Sequence, residues 1–151
     1  CISLKSISDK ASITLLKALI TAIESYGKPK AIRTDNESVF SSKLFRLGLW
    51  MLGIRHQQTQ IHSPWQNGRI ERFFGTFKKY SDKVIFNAKK IQFALDEFQY
   101  WYNAIRPHRH LNGLTPNEQW NAVNPYEMLP KRIKKVSLWN GLLKGYALDY
   151  K

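Results

Sequence analysis

Apolar and polar residues alternate through CISLKSIS at the head of the chain, which predicts a strand with Ile2, Leu4 and Ile7 as its buried positions. The period then lengthens. Leu15, Leu16, Leu19, Ile20 and Ile23 recur at helical spacing behind Ser8 or Asp9 as a cap, and Gly27 followed by Pro29 ends that helix. KAIRT predicts a short strand that delivers Asp35 at its carboxyl end. Ser41 or Ser42 caps a second helix reaching Leu52 and closed by Gly53. IRHQQT predicts another short strand, and QIHSPWQNG, with Pro64 and Gly68, a loop.

Helical spacing returns over 69–80, where Ile70, Phe73, Phe74 and Phe77 form one apolar face. An aromatic-rich helix is expected over 91–104, with Phe93, Phe98, Trp101 and Tyr102 as core residues. RPHRHLNGLTP is a turn-rich connector, and a short helix over 116–122 follows. The tail changes character, with a basic run over 131–135, the strand-like VSLW and a glycine-punctuated end. Strands alternating with helices indicate an α/β domain over 1–124, with a basic extension over 125–151.

Composition narrows the partners. Lys and Arg number 24 against 11 Asp and Glu, and the resulting net charge of +13 calls for a polyanion. In RIERFFGTFKKY and YWYNAIRPHRH the basic residues are interleaved with aromatics, a mixture that favours nucleic acid over a lipid surface. No apolar run is long enough to span a bilayer, and no membrane partner is expected. With Cys1 as its one cysteine the chain has no internal disulfide, which suits a reducing cytoplasm. A start at Cys1 rather than Met is expected of a fragment.

Against this surplus of base, Asp35 and Glu71 stand out. Asp35 ends a strand, Glu71 opens a helix after a Gly-containing loop, and 35 residues separate them. Asp-Asn is commonly a turn or a helix cap. Two convergent carboxylates would equally suit Mg²⁺, which takes one or two of them together with water and substrate phosphate. Lys78 lies seven residues beyond Glu71, nearly on the same helix face. An ordinary solvated stripe has the same spacing.

IRTDNESVFSSKLF, SPWQNGRIERFFGTFKK and FQYWYNAIRPHRHLNGLTPNEQW together resemble the catalytic core of the DDE integrases and transposases of retroviruses and insertion sequences. In that family T-D-N-G ends a strand, S-P-x-x-N-G forms a mobile loop and x-x-E-R opens a helix. Many bacterial members continue with Y-N-x-x-R-P-H-x-x-L-x-G-x-T-P-x-E. The resemblance runs from about Asp9 to Trp120. It implies a ribonuclease-H-like fold, a mixed sheet flanked by helices, here without its first strand or strands. It also implies metal-dependent cutting at DNA 3′ ends and strand transfer, in a bacterial cytoplasm and on the nucleoid when DNA is bound.

By this resemblance Asp35 and Glu71 are the second and third acids of the catalytic triad and ligands of Mg²⁺ or Mn²⁺. Asn67 and Gly68 match the mobile loop, and Lys78 matches a DNA-contacting position. Arg69, Arg72, Lys79, Arg106 and His108 complete the expected DNA-facing set, His108 also fixing the R-P-H turn. The first acid has no counterpart, because Asp9 falls at a helix start and is assigned a capping role. Weak or single-ion occupancy is therefore expected. Glu37 replaces the family's glycine and is expected to remove some freedom for positive φ.

His56, His62, His108 and His110 have no cysteine partners, so no zinc is expected. Trp65 is suited either to stacking on a base or to packing under its loop. Ser63 lacks the partners of a nucleophile. An exposed sheet edge leads to an expected homo-oligomer, a dimer. The alternatives to a strand-transfer enzyme are a non-catalytic DNA-binding family member and a nuclease that only hydrolyses.

Overall fold

The computed structural model describes residues 1–59, 68–84 and 87–150. The chain divides into two compact units, one comprising Ile2 and Ile7–Thr76, the other Cys1, Ser3–Ser6 and Phe77–Lys151.

The first unit follows the hydrophobic pattern closely. Helix α1 (Ser12–Tyr26) leads to strand β1 (Ala31–Thr34), and α2 (Ser38–Ser41) and α3 (Lys43–Met51) carry the chain to strand β2 (Arg55–Gln58). β1 and β2 pair in parallel, with Ala31 opposite Arg55 and Thr34 opposite Gln58. Parallel neighbours need a crossover, and α2 and α3 provide it. Ser42 caps α3 by accepting a hydrogen bond from the Phe45 amide at 3.1 Å, as its place before the apolar run predicts. Leu16, Phe45, Leu49 and Ile54 form the core, flanked by Leu15, Leu19, Ile23, Ile32, Phe40 and Leu52. Gly48 lets α1 and α3 approach, since a Cβ there would lie 2.6 Å from Leu16 Cδ1. Helix α4 (Gly68–Ser81) begins in this unit.

Asp9 acts before α1 rather than as its N-cap residue, which is Ala11. One carboxylate oxygen of Asp9 accepts from the Ala11 amide and the Thr14 hydroxyl, both at 2.8 Å. These bonds hold the carboxyl below its ordinary range.

The second unit packs around Phe98, which is fully buried on α5 (Ile91–Tyr100). Phe77 meets it edge-on at 5.0 Å, and Trp101 and Trp139 approach at 5.7 and 5.5 Å. The expected helix over 91–104 widens into a π-helical turn at Trp101–Ile105. Helix α6 (Pro116–Trp120) carries a full capping box, Thr115 accepting from the Glu118 amide and Glu118 accepting from the Thr115 amide. The tail is a hairpin of β3 (Arg132–Leu138) and β4 (Leu143–Asp149), turned by Trp139–Gly141. VSLW therefore marks only part of β3, and β4 was hidden by its glycine and mixed polarity. Gly145 sits against Ile105, and a Cβ would collide with Ile105 Cγ2.

The strand expected in CISLKSIS does not form. No strand pairs with it among the described residues, and helical amides take its backbone groups instead. Gln99 Oε1 accepts from the Leu4 amide at 3.2 Å, Gln92 Oε1 from the Ser6 amide at 2.9 Å, and Asn103 Nδ2 donates to the Cys1 carbonyl at 2.6 Å. Alternation describes which side is buried; it does not supply a partner. Among the described residues no helix is long and apolar enough to cross a membrane.

Two substitutions test this packing. Leu49, 1% exposed at the centre of the first core, is expected to cost roughly 2–5 kcal/mol as Leu49→Ala. Gly145→Ala forces the hairpin off Ile105 and is expected to cost about 1–3 kcal/mol. Both are read as shifts of the urea unfolding midpoint.

Candidate functional site

Asp35 leaves the carboxyl end of β1 exposed to solvent. Its Oδ1 accepts from the Glu37 amide at 3.1 Å, an Asx turn that fixes the carboxylate's direction. Among the described residues its other oxygen takes no hydrogen bond. The strand end is held firmly beneath it. The Thr59 amide donates to the Thr34 carbonyl at 2.9 Å, and Asn36 Nδ2 donates to the Thr59 carbonyl at 2.9 Å. Thr34 Oγ1 lies 2.9 Å from His56 Nε2, on the neighbouring strand. Burial, with Arg46 nearby, holds the His56 pKa below its ordinary value.

Glu37 adopts φ −58° and ψ 145°, so this position does not use glycine's freedom and the expected backbone cost is absent. Its carboxylate pairs with Lys10 at 3.1 Å. Base neutralises Glu37 and leaves Asp35 open.

Glu71 lies exposed in the first turn of α4, where the helix dipole favours an anion. Asp35 and Glu71 belong to the same compact unit. Neither enters an ion pair among the described residues, and no hydrogen bond joins them. Among the described residues no group of three or more His, Cys, Asp and Glu side chains is arranged to hold a metal. Two carboxylates nevertheless present hard oxygen donors, the kind Mg²⁺ or Mn²⁺ takes when water and phosphate complete the shell.

The expected DNA-facing residues separate into distinct groups. Gly68 opens α4, and its carbonyl accepts from Arg72 Nε at 3.1 Å. Arg69 is exposed, as are Lys78 and Lys79 near the helix end, Lys79 lying 5.9 Å from the Tyr80 ring centre. Asn67, Trp65, Ser63 and His62 fall outside the described residues. Lys78 and Lys79 belong to the second unit.

Arg106 and His108 do come together, within the second unit. The Arg106 guanidinium lies 5.6 Å from the Tyr102 ring centre. His108, expected among DNA contacts, is 3% exposed and its side chain is fully engaged. The Tyr102 carbonyl, 3.1 Å from Nε2, can only accept, so Nε2 carries the proton. Nδ1 then accepts from Arg106 at 3.3 Å. His108 therefore fixes the R-P-H turn from inside and offers no surface to DNA. The burial signal could have been read from the aromatic residues before it. The bonds of Asn36 and the Glu37–Lys10 pair had no sequence signal, since each joins segments distant along the chain.

Burial, more than the Arg106 charge, depresses the His108 pKa. A histidine that stays neutral when folded binds fewer protons than when unfolded. Stability should therefore be complete above the ordinary value of 6.5 and fall as pH drops from there through the depressed folded value. His56 contributes with the same sign. Urea midpoints measured between pH 7.5 and 5 check this, and His108→Ala should remove part of the slope.

Residues 52–116 match the integrase core domain family. The ORF3 protein of Spiroplasma virus SpV1-C74, named as a candidate integrase, is 34% identical, covering 62% of this chain and 30% of that one. The 39.2 kDa protein of insertion element IS476 from Xanthomonas euvesicatoria is 30% identical, covering 60% and 27%. The chain thus spans less than a third of the length of these relatives. A chain of the simian T-cell lymphotropic virus intasome, solved with a PP2A regulatory subunit, superposes with a TM-score of 0.55 at 26% identity, covering 67% of this chain and 37% of that one. The HTLV-2 integrase catalytic core, solved with magnesium, gives 0.57 at 23% identity, covering 77% and 72%. Over residues 52–116 the chain is similar to the integrase core domain, and its fold is ribonuclease-H-like.

Proposed function

We propose that this chain is the catalytic core of a DNA-transposing enzyme that cuts at DNA 3′ ends and joins them to a second DNA. The observation that carries the reading is a pair of exposed carboxylates, Asp35 at a strand end and Glu71 in a first helical turn, in one compact unit of a strongly basic chain. Neither carboxylate enters an ion pair among the described residues, which leaves both able to meet a cation and phosphate.

Asp35 and Glu71 are the residues that would hold Mg²⁺ or Mn²⁺. When bound, a divalent ion supplies activation of the attacking oxygen and neutralisation of charge on the phosphate. The chain's own part is positional. The Asx turn aims the Asp35 carboxylate, and the β1–β2 pairing holds the strand end that bears it. Gly68, Arg69, Arg72, Lys78, Lys79 and Arg106, with Asn67, are proposed to contact DNA, through phosphates and hence without sequence preference. Solved structures of similar proteins support the assembly: an intasome for one, and dimeric and trimeric forms with magnesium for the HTLV-2 core. A homo-oligomer acting on element ends and target DNA is proposed on that basis.

Glu71→Gln preserves shape and removes one negative charge. In the full protein that carries this chain, it is expected to abolish strand transfer with unchanged circular dichroism. Full joining activity in that variant would remove Glu71 from the role. Products joined to a second DNA, as opposed to cut ends alone, separate transposition from simple hydrolysis. Calorimetric titration of this chain with Mn²⁺ should give no more than one weak site, weakened further by Asp35→Asn. Tight binding of two ions would contradict the ligand set.

A further inference from the structure

The β3–β4 hairpin presents a surface that the acids at Asp35 and Glu71 do not use. Its register sorts side chains onto two faces. Val136, Leu138, Leu143, Gly145 and Ala147 share the inner face, where Val136 and Leu143 are buried and Gly145 meets Ile105. The Trp101 indole N–H donates to the Lys144 carbonyl at 3.1 Å, a further tie between hairpin and core.

The outer face pairs Ile133 with Leu148, Lys135 with Tyr146 and Ser137 with Lys144. Directly opposed residues on an antiparallel pair sit with Cβ atoms about 4.5–5.5 Å apart. Lys135 and Tyr146 are therefore immediate neighbours, with Lys144 two residues from Tyr146 on the same face. Ile133 is 64% and Tyr146 60% exposed, an apolar and aromatic centre that a solvated face does not require. The charge on that face is one-sided: Lys135 and Lys144 share it with no acid, since Arg132, Lys134 and Asp149 fall on the inner face. Lys134, Lys135 and Lys144 form no ion pair among the described residues.

An exposed ring on an open sheet, flanked by two lysines, matches the chemistry of an unpaired base and its phosphates. Base-on-aromatic stacking is tolerant of sequence, and lysine contacts the backbone. A base within a duplex cannot lie flat on such a ring. We propose that the outer face of the β3–β4 hairpin binds single-stranded DNA, one base stacking on Tyr146 while Lys135 and Lys144 hold the flanking phosphates. The choice of DNA over RNA rests on the strand-transfer reading above; the surface itself does not.

The test is fluorescence anisotropy on the whole chain with a labelled oligo(dT) 12-mer, the same strand annealed to its complement, and oligo(rU), all in EDTA. Tyr146→Ala should weaken oligo(dT) binding about tenfold, as the loss of one stacked base does. Tyr146→Phe should keep it, and duplex binding should change less than twofold. Lys135→Ala with Lys144→Ala should flatten the log–log salt dependence by about 1.4, the share of two single-strand phosphate contacts. Exposure of all three side chains means the fold should survive, which thermal melting checks. Unchanged oligo(dT) binding by Tyr146→Ala overturns the proposal. So does equal loss on duplex, Tyr146-dependent preference for oligo(rU), or a change in sedimentation mass without a change in DNA binding. EDTA removes any ion held by Asp35 and Glu71. Failure here therefore leaves the strand-transfer reading standing, and failure of strand transfer leaves this surface standing.

Discussion

The parallel pairing of two four-residue strands is the constraint on which the candidate site depends. β1 and β2 are too short to hold each other, and their ladder survives because α1 and α3 bury Leu16, Phe45, Leu49 and Ile54 against them. Gly48 permits that close approach. Once the register is set, the Thr59 and Asn36 bonds lock the end of β1, and Asp35 has one direction in which to leave it. Packing energy in the core is thereby converted into a fixed carboxylate at the surface.

A second theme is the use of surplus positive charge. With 24 basic residues to 11 acidic ones, the chain has far more cations than it pairs. Lys10 is spent on Glu37 and Lys5 approaches Asp96. Others face solvent, among them Arg69, Arg72, Lys78 and Lys79 on α4 and Arg132, Lys134, Lys135 and Lys144 on the terminal hairpin, where phosphate is the natural counterion. Arg106 is half-buried, its guanidinium resting against aromatic rings and His108.

Local pattern was legible wherever one side of an element meets a core. The α1 stripe, the Ser42 cap, the KAIRT and IRHQQT strands and the short helix from Pro116 all form where spacing and cap chemistry place them. Misreadings share one physical cause. CISLKSIS alternates as a strand does, yet Gln92, Gln99 and Asn103 satisfy it from a helix. β4 was missed because Gly145, which weakens any strand reading, is there to clear Ile105. His108 reads as a surface base in a basic segment, and a buried carbonyl claims its proton.

Sequence by itself determined the mixed α/β class and the net charge of +13, and it supplied the pair Asp35 and Glu71 on which the proposed function rests. These follow from residue type and order, which need no knowledge of what lies opposite. Tertiary structure alone decided that Lys10 neutralises Glu37 and leaves Asp35 open, that His108 faces inward, and that Lys135 lies beside Tyr146 on an exposed sheet face. Each of those outcomes joins segments separated along the chain, so it depends on the register and packing that folding imposes.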